Sequence, residues 1–388
     1  MQNNASNQAS KPALLVDQVA FNYSASQAAT SHFGSISAQS NDRIVRKEGG
    51  REFNTLSEVY PLPADDGDRL DKQHRAFSLS LGGLYPAPEV VRAVLAPQAG
   101  VTKRILDIGC GSGIWCTEMA REFPHCQVLG IDLAPVPLDP EDLPPNCSFE
   151  MDDVNQGLDH LQGMYDLVHA RAFAIGLKDF RTSLQQIVEC LKPGGILIWM
   201  DGDYDFYSGW PMTYVPYWSS SNPHGSYTQR VLYEFRKSAI LSGSDVRTME
   251  KVLQEGFWNN APMLDPGTCK TAGVYLPIGP WCEQGDPAQQ EQLKYVGMLL
   301  RHMFFETSKA TQPSIIKAGW SKQESDRWAA RMREGMRFWL FGLCNRVMNK
   351  SGRMSTRYYG FPNAPRMGSS AGRTEFTSTD APYSSYRR

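Results

Sequence analysis

The run Arg104-Ile-Leu-Asp-Ile-Gly-Cys-Gly-Ser-Gly-Ile114, followed by Val128-Leu-Gly-Ile-Asp132, constrains this chain more than any other stretch. It reads as a buried strand, a glycine-rich turn, a helix and a second strand that ends on a carboxylate. Glycine at positions 109, 111 and 113 removes Cβ from the bend and permits positive φ, so the backbone can pass close to a ligand. Asp132 stands 23 residues after Gly109. A carboxylate at the tip of that strand can accept hydrogen bonds from both hydroxyls of a ribose. The combination points to a nucleoside-containing cofactor.

Spacing narrows the choice of nucleoside. The dinucleotide fingerprint is G-x-G-x-x-G/A. Counted from Gly109 its third small residue falls on Ile114, and counted from Gly111 it falls on Cys116. Both registers fail, which disfavours a nicotinamide oxidoreductase. No Gly-Lys-Ser/Thr follows, so a P-loop is excluded as well. What stands here is Asp107-x-Gly109-x-Gly111-x-Gly113, which resembles the first motif of class I S-adenosylmethionine-dependent methyltransferases. Their cofactor has no pyrophosphate to lay on a helix N-terminus, so the third glycine need not follow the dinucleotide spacing.

The 388 residues suffice for one large domain or two smaller ones. With a formal net charge of -2 and no basic patch, nucleic acid is not an expected partner. No apolar run reaches the roughly 18 residues of a membrane span. The N-terminal Met1-Gln-Asn-Asn-Ala-Ser has no signal-peptide core. Eight cysteines are scattered without a C-x-x-C pair or a Cys/His ligand cluster, so no metal is expected and the thiols read as free. A cytoplasmic location is expected, with the nucleus left open. Oligomeric state has no signature in the sequence. Cys110 reads as a small filler rather than a nucleophile.

Residues 1–52 are rich in Ser, Ala, Gln and Asn and read as a disordered tail, as does 363–388. Between them, residues 53–362 form the expected domain, with helical and lid insertions at about 204–260 and 282–350. Strand and helix patterns alternate: strands at Arg104–Cys110, Val128–Leu133, Cys147–Met151, Tyr165–His169 and Ile196–Met200, and helices after Gly113 and at Ser183–Leu191. Ile114, Met119 and Phe123 are candidate core residues of the first helix. This alternation predicts an α/β fold, a Rossmann-like and mostly parallel sheet with helices on both faces. In such sheets ligands bind beyond the carboxyl ends of the strands. The polar residues there are Asp107, Asp132, Asp153, His169 with Arg171, and Asp201 with Asp203.

Tyr204 to Tyr227 holds eight aromatics in 24 residues, about three times their 11% share of the chain. The segment has no clean period and reads either as an aromatic lid that walls an organic acceptor, with Tyr207, Trp210, Tyr217 and Trp218 as candidate contacts, or as a loop packed over the sheet edge. Gln229–Leu241, Val246–Gly256 and Pro287–Glu306 have amphipathic helical patterns. Ser321–Asn349 carries Trp328, Met332, Met336, Trp339, Leu343 and Val347 in steps of four and three, and is predicted as one core-facing helix. Thr271–Ile278 reads as a strand and Ser355–Phe361 as the last one, a pair that could form an antiparallel edge.

Longer segments carry a closer resemblance. Tyr60-Pro-Leu-Pro-Ala-Asp-Asp-Gly-Asp-Arg69-Leu-Asp-Lys-Gln-His74, Tyr165-Asp-Leu-Val-His-Ala-Arg171, Leu191-Lys-Pro-Gly-Gly195 and Leu276-Pro-Ile-Gly-Pro-Trp281 stand in the order seen in fungal LaeA-like (UMTA-type) methyltransferases. The chain resembles that family over roughly 55–362. The resemblance implies a seven-stranded sheet and a role in fungal secondary metabolism, either as an S-adenosylmethionine-dependent enzyme on a small molecule or as a regulator that works through protein partners. It implies that Gly109, Gly111 and Gly113 bound the methionine and ribose parts of the cofactor and that Asp107 approaches the amino group. Asp132 would hold the ribose, and Asp153 with the Val154 backbone would face the adenine. Tyr60, Arg69 and His74 would lie over the cofactor as a lid. Arg69 could pair with the cofactor carboxylate, since guanidinium matches carboxylate geometry.

Methyl transfer from a sulfonium is an in-line displacement with a neutral leaving group, so alignment is the main task. A hydroxyl acceptor would also need a base. The candidates are His169, best placed by topology, then His224, Asp203 and Tyr207.

Overall fold

The computed structural model describes residues 45–60, 62–208, 213–335 and 339–349, with the last stretch described by its backbone. Five strands, β3 (Lys103–Ile108), β4 (Cys126–Asp132), β5 (Cys147–Met151), β6 (Tyr165–Arg171) and β7 (Leu191–Ser208), form the parallel part of the sheet. The order across the sheet is β5-β4-β3-β6-β7-β10-β9, where β9 is Lys270–Ile278 and β10 is Trp339–Asn349. β10 lies antiparallel to both β7 and β9, so the sheet is mixed at one side only. The two-residue β8 (Thr213–Tyr214) pairs with β7. From β3 the chain first builds outward through β4 and β5, then returns to lay β6 and β7 on the other flank. The carboxyl ends of β3 and β6 therefore flank a topological switch point, where open α/β sheets bind ligands.

The alternation of side chains along each strand fills a layer on either face. Leu106, Ile108, Val168, Ala170, Leu197 and Trp199 pack on one side beneath α4 (Phe180–Glu189) and α6 (Val246–Glu255). Ile105, Leu167, Ile196 and Ile198 pack on the other, under α2 (Pro88–Val94) and α3 (Ile114–Glu122). A third core joins Met200, Phe206, Leu276 and Ile278 to α1 (Gly67–Leu81), α5 (Tyr227–Leu241), α7 (Pro287–Ala310) and α9 (Lys322–Gly335). A short α8 (Gln312–Lys317) links the last two. Helix starts follow the chemistry of their caps: Ser226 accepts from the Gln229 N–H, and Asp286 with Gln289 forms a capping box around Pro287.

The expected elements from 104 to 200 are present with shifted ends. Met119 and Phe123 are buried as anticipated, while Ile114 is half-exposed and faces the cleft described below. Three expectations are corrected. Ser321–Asn349 is not one helix: α9 ends at Gly335 and Trp339–Asn349 is a strand. The slot between β7 and β9 offers hydrogen-bond partners on both sides, from Trp339↔Ser208 to Asn349↔Ile196 and from Trp339↔Ile278 to Val347↔Lys270. Such pairing outweighs a helical apolar period, as tertiary context overrides local preference. The same pairing lengthens β7 into the aromatic segment, so residues 204–208 are strand rather than lid. Finally, residues 45–52 are not a loose tail: β1 (Val45–Glu48) and β2 (Arg51–Asn54) form a hairpin across the expected boundary at 53. The expected strand Ser355–Phe361 and tail 363–388 lie outside the described residues.

Candidate functional site

The turn after β3 is tied to its neighbour before it bends: Gly109 N–H and Cys110 N–H both donate to Ile131 O, at 2.9 and 3.1 Å. Gly109, Gly111 and Gly113 then take φ of 69°, 58° and 76°. These are left-handed values that disfavour any residue with Cβ. Space is the second reason. A Cβ at 109 would meet Phe173 Cβ at 2.7 Å, and one at 113 would meet Phe149 Cζ and Val136 Cγ1, both at 2.7 Å. At 111 the nearest atom is the mobile end of Leu70, at 3.0 Å. The outer two glycines therefore seat the turn, and the middle one lies under a flexible cover.

A cleft of about 1170 Å³, open to solvent, runs along the carboxyl ends of β3, β4, β5 and β6. Gly109, Gly111, Asp132, Asp153, Val154, Tyr60 and Arg69 all line it, brought together from segments far apart in the chain. Asp132 Oδ2 accepts the Gly111 N–H at 2.8 Å and Oδ1 faces the Ala134 N–H at 3.3 Å. Burial pushes the carboxyl pKa up, while the backbone donors of Gly111, Ala134 and Leu133 pull it down. Asp153 is buried and caps its own turn, accepting from the Asn155 N–H at 3.0 Å and from Asn155 Nδ2 at 2.8 Å. Asn155 braces this corner further, donating to Gly176 O and accepting from the Lys178 N–H.

The N-terminal segment closes one side. Burial raises the Tyr60 phenol to about 12, and its ring fills the space that a Cβ at Gly176 would need. Arg69 is buried against the carboxylate of Asp66, which also receives Arg51 Nη2 at 3.0 Å. Arg69 thus already has an anion of its own.

Other expected site residues sit elsewhere. His74 is buried behind the cleft wall and does not line it. Its Nδ1 faces Arg171 Nη2 at 3.1 Å and its Nε2 faces Glu118 Oε2 at 2.9 Å. Asp107 and His169 also stay off the cleft wall. His169 is 1% exposed, its Nδ1 is 2.7 Å from Asp107 Oδ1, and its ring stacks on Trp115 at 3.9 Å. The other oxygen of Asp107 accepts from Cys116 Sγ at 3.3 Å. Burial, the largest influence, pulls the His169 pKa down against the opposing pull of Asp107. A neutral imidazole donating through Nδ1 fits this pair. The strand-end position that suggested a base instead buries the ring under Trp115, with no opening to an acceptor.

Several rings of the aromatic segment pack against other protein side chains rather than the cleft, while Tyr214 is exposed. Tyr217 stacks on Tyr233 at 4.3 Å and Trp218 on Tyr227 at 4.9 Å. The Tyr217 ring lies 5.4 Å from Arg230, whose guanidinium lies 4.8 and 4.7 Å from the ring centres of Trp320 and Trp328 and pairs with Glu234 at 2.6 Å. The Trp218 ring lies 5.5 Å from the Arg327 guanidinium. Tyr207 sets its edge on Tyr275 at 5.5 Å. None of Tyr207, Tyr217 and Trp218 lines the cleft, and His224 is exposed elsewhere. Trp210 and the Asp203 side chain lie outside the described residues. An aromatic-rich run with no period does not reveal which side it faces.

The sequence placed Arg171 among the strand-end polar residues without giving it a role, and did not single out Phe173, Leu70, Asp152 or Asn155; all five line the cleft. For Arg171 a signal was present, since it ends β6 beside the switch point. Among the described residues no group of three or more His, Cys, Asp or Glu side chains is arranged to hold a metal ion. No helix among them is long and apolar enough to cross a membrane.

Known proteins bear on this geometry. A family model described as "Methyltransferase domain" matches residues 85–234. The chain is 42% identical to the secondary metabolism regulator laeA of Coprinopsis cinerea over 165 residues, 42% of this chain and 40% of that protein. It therefore spans less than half the length of that regulator in the match. It is 30% identical to methyltransferase pytC of Aspergillus terreus over 292 residues, 74% of this chain and 81% of that one. Among solved structures, Haemonchus contortus phospholethanolamine N-methyltransferase 2 is 15% identical with a TM-score of 0.36, over 81% of this chain and 72% of that chain. From the breadth of the match to pytC, together with the match to laeA, this chain belongs to the LaeA-like class I methyltransferases.

Proposed function

We propose that this methyltransferase draws its methyl group from S-adenosylmethionine and passes it to a small organic acceptor of fungal secondary metabolism. The observation that carries the reading is the pairing of Asp132 with the Gly111 N–H at the lip of the cleft. It holds a carboxylate against a turn whose backbone is packed so closely by Phe173, Phe149, Val136 and Leu70 that its three glycines leave little room for a Cβ. That donor and acceptor set fits a nucleoside: Asp132 would take the ribose hydroxyls, and Asp153 with Val154 would stand at the base. The glycine turn would lie along the amino-acid end. When bound, S-adenosylmethionine supplies a methyl group on a positively charged sulfur, open to attack by a nucleophile. The chain's own part is to orient and to exclude water, which is the proximity contribution. Tyr60 and Leu70 cover the cleft from the N-terminal side, and Phe173 backs Gly109. No base is assigned, because the histidine best placed by topology is enclosed by Trp115 and Asp107.

A second reading, a regulator that acts through protein partners, is favoured by the 42% identity to laeA. Both readings keep the cofactor site. Thermal melts of the full chain with S-adenosylmethionine, S-adenosylhomocysteine or NADH test it, because a ligand of the native state raises stability by mass action. A shift with the two adenosyl compounds and none with NADH is expected. A shift with NADH alone refutes the cofactor assignment. Methyl transfer to extracted fungal metabolites by the purified chain alone would then favour the enzyme reading over the regulator.

A further inference from the structure

We infer that Arg171, oriented by His74 and Glu118, is the anchor for the carboxylate of the cofactor's amino-acid end, in place of Arg69. The inference rests on the cofactor reading above and assigns a part of that site which sequence had given to another residue. Two cations line the cleft, and their surroundings differ. Arg69 is paired with Asp66, so a second carboxylate would compete for a guanidinium already neutralised. Arg171 ends β6 in the cleft wall, and among the described residues no carboxylate lies within ion-pair distance of it. Its nearest acidic groups are spoken for: Asp107 takes His169 and Cys116, and Glu118 takes His74. Arg171 is half-buried in the cleft wall, where a cation without an anion is partly desolvated, and an anionic ligand group relieves that cost.

The residues behind Arg171 fix its orientation. A guanidinium can only donate, so Arg171 Nη2 must donate to His74 Nδ1 at 3.1 Å. His74 is then the tautomer that carries its proton on Nε2, which donates to Glu118 Oε2 at 2.9 Å. Glu118 is half-exposed; burial pushes its pKa up, but the hydrogen bond from His74, with Arg75 and Arg121 nearby, outweighs it and lowers the pKa. Phe77 supports the guanidinium from the side, 5.7 Å from ring centre to Cζ. One N–H of Arg171 is thereby committed to the interior, and the remaining donors of the fork are left for the cleft. Arg171 would touch the cofactor, whereas His74 and Glu118 are positioning residues that act through it.

Two ligands that differ by the carboxylate alone isolate the effect: S-adenosylhomocysteine and 5′-(3-aminopropylthio)-5′-deoxyadenosine. Calorimetric titration of the full chain should show a preference for the first of about 10- to 100-fold, the span of a charge-assisted contact. Arg171→Met, and Arg171→Gln as a second variant should the first not fold, should bring that ratio near one and leave the affinity for the aminopropyl compound unchanged. His74→Ala should reduce the ratio, and His74→Asn should restore part of it, because the Asn oxygen can accept from Arg171 where Nδ1 did. A merely structural role would weaken both ligands alike and leave the ratio intact, which would overturn the assignment. Equal affinity of the wild-type chain for both ligands overturns the anchor alone. Binding of neither overturns the cofactor reading and the anchor with it.

Discussion

Replacing Gly113 by alanine should destabilise the ligand-free protein by about 2–5 kcal/mol, the sum of a left-handed backbone penalty and an overpacking penalty. The backbone part follows from φ of 76°, and costs about 1–2 kcal/mol for a residue with Cβ. The packing part follows from what the new methyl group meets. Phe149 Cζ and Val136 Cγ1 would both stand at 2.7 Å, with Phe149 Cε1 at 2.9 Å. The same edge of Phe149 also lies over Gly130, where a Cβ would meet Cδ1 at 2.7 Å, so the ring is seated on two glycines at once. Such overlap in a packed core costs about 1–3 kcal/mol. Gly100 supplies the internal control. Its φ is 73°, nearly that of Gly113, but nothing lies within 4 Å of its Cβ position. Gly100→Ala should therefore cost the backbone part alone. Urea unfolding followed by tryptophan fluorescence measures both, with an unchanged m-value as the sign that only stability moved. Equal losses for the two variants would show that the space around Gly113 is not the constraint argued here.

Asp132→Ala should weaken S-adenosylhomocysteine binding by about 1.5–3 kcal/mol, the size of a charge-assisted hydrogen bond, and unchanged affinity in a calorimetric titration would remove the ribose role proposed for it. Acid should act through Asp166, which receives Lys192 Nζ at 2.6 Å, the Arg104 N–H at 2.9 Å and Lys103 Nζ at 3.1 Å. Burial alone would raise its pKa, but these partners outweigh it and hold the carboxyl below its usual 3.8. A depressed folded-state pKa contributes stability that is present above the unfolded value and lost as pH falls through the folded one. Stability of the wild-type chain should accordingly decline below about pH 4, and Asp166→Asn should flatten that part of the urea-midpoint profile. An identical decline in the variant would place the acid sensitivity elsewhere.

The parallel sheet and its glycine turn were legible because the signals are local. A strand buried on both faces is a short apolar run, as in Ile196–Met200, and a left-handed turn favours glycine. Asp132 and Asp153 were legible for a related reason: each follows a recognisable strand, and the carboxyl ends of parallel strands converge on one edge. The helix caps at Ser226 and Asp286 are written in the same short range.

Other features were decided by segments remote in sequence. Whether Trp339–Asn349 is helix or strand depended on β7 and β9, which supply partners to both sides of its backbone. Whether Tyr217 and Trp218 face a ligand or other protein side chains depended on Arg230 and Arg327 and, around Arg230, on Trp320 and Trp328 far along the chain. The polar side chains show it most clearly. His169 meets Asp107 across 62 residues, and Arg171 meets His74 across 97. A residue's chemistry is a property of its own side chain and can be read from one letter. Its availability depends on whether another group has already claimed its hydrogen bonds and charge, and only folding brings that group within reach.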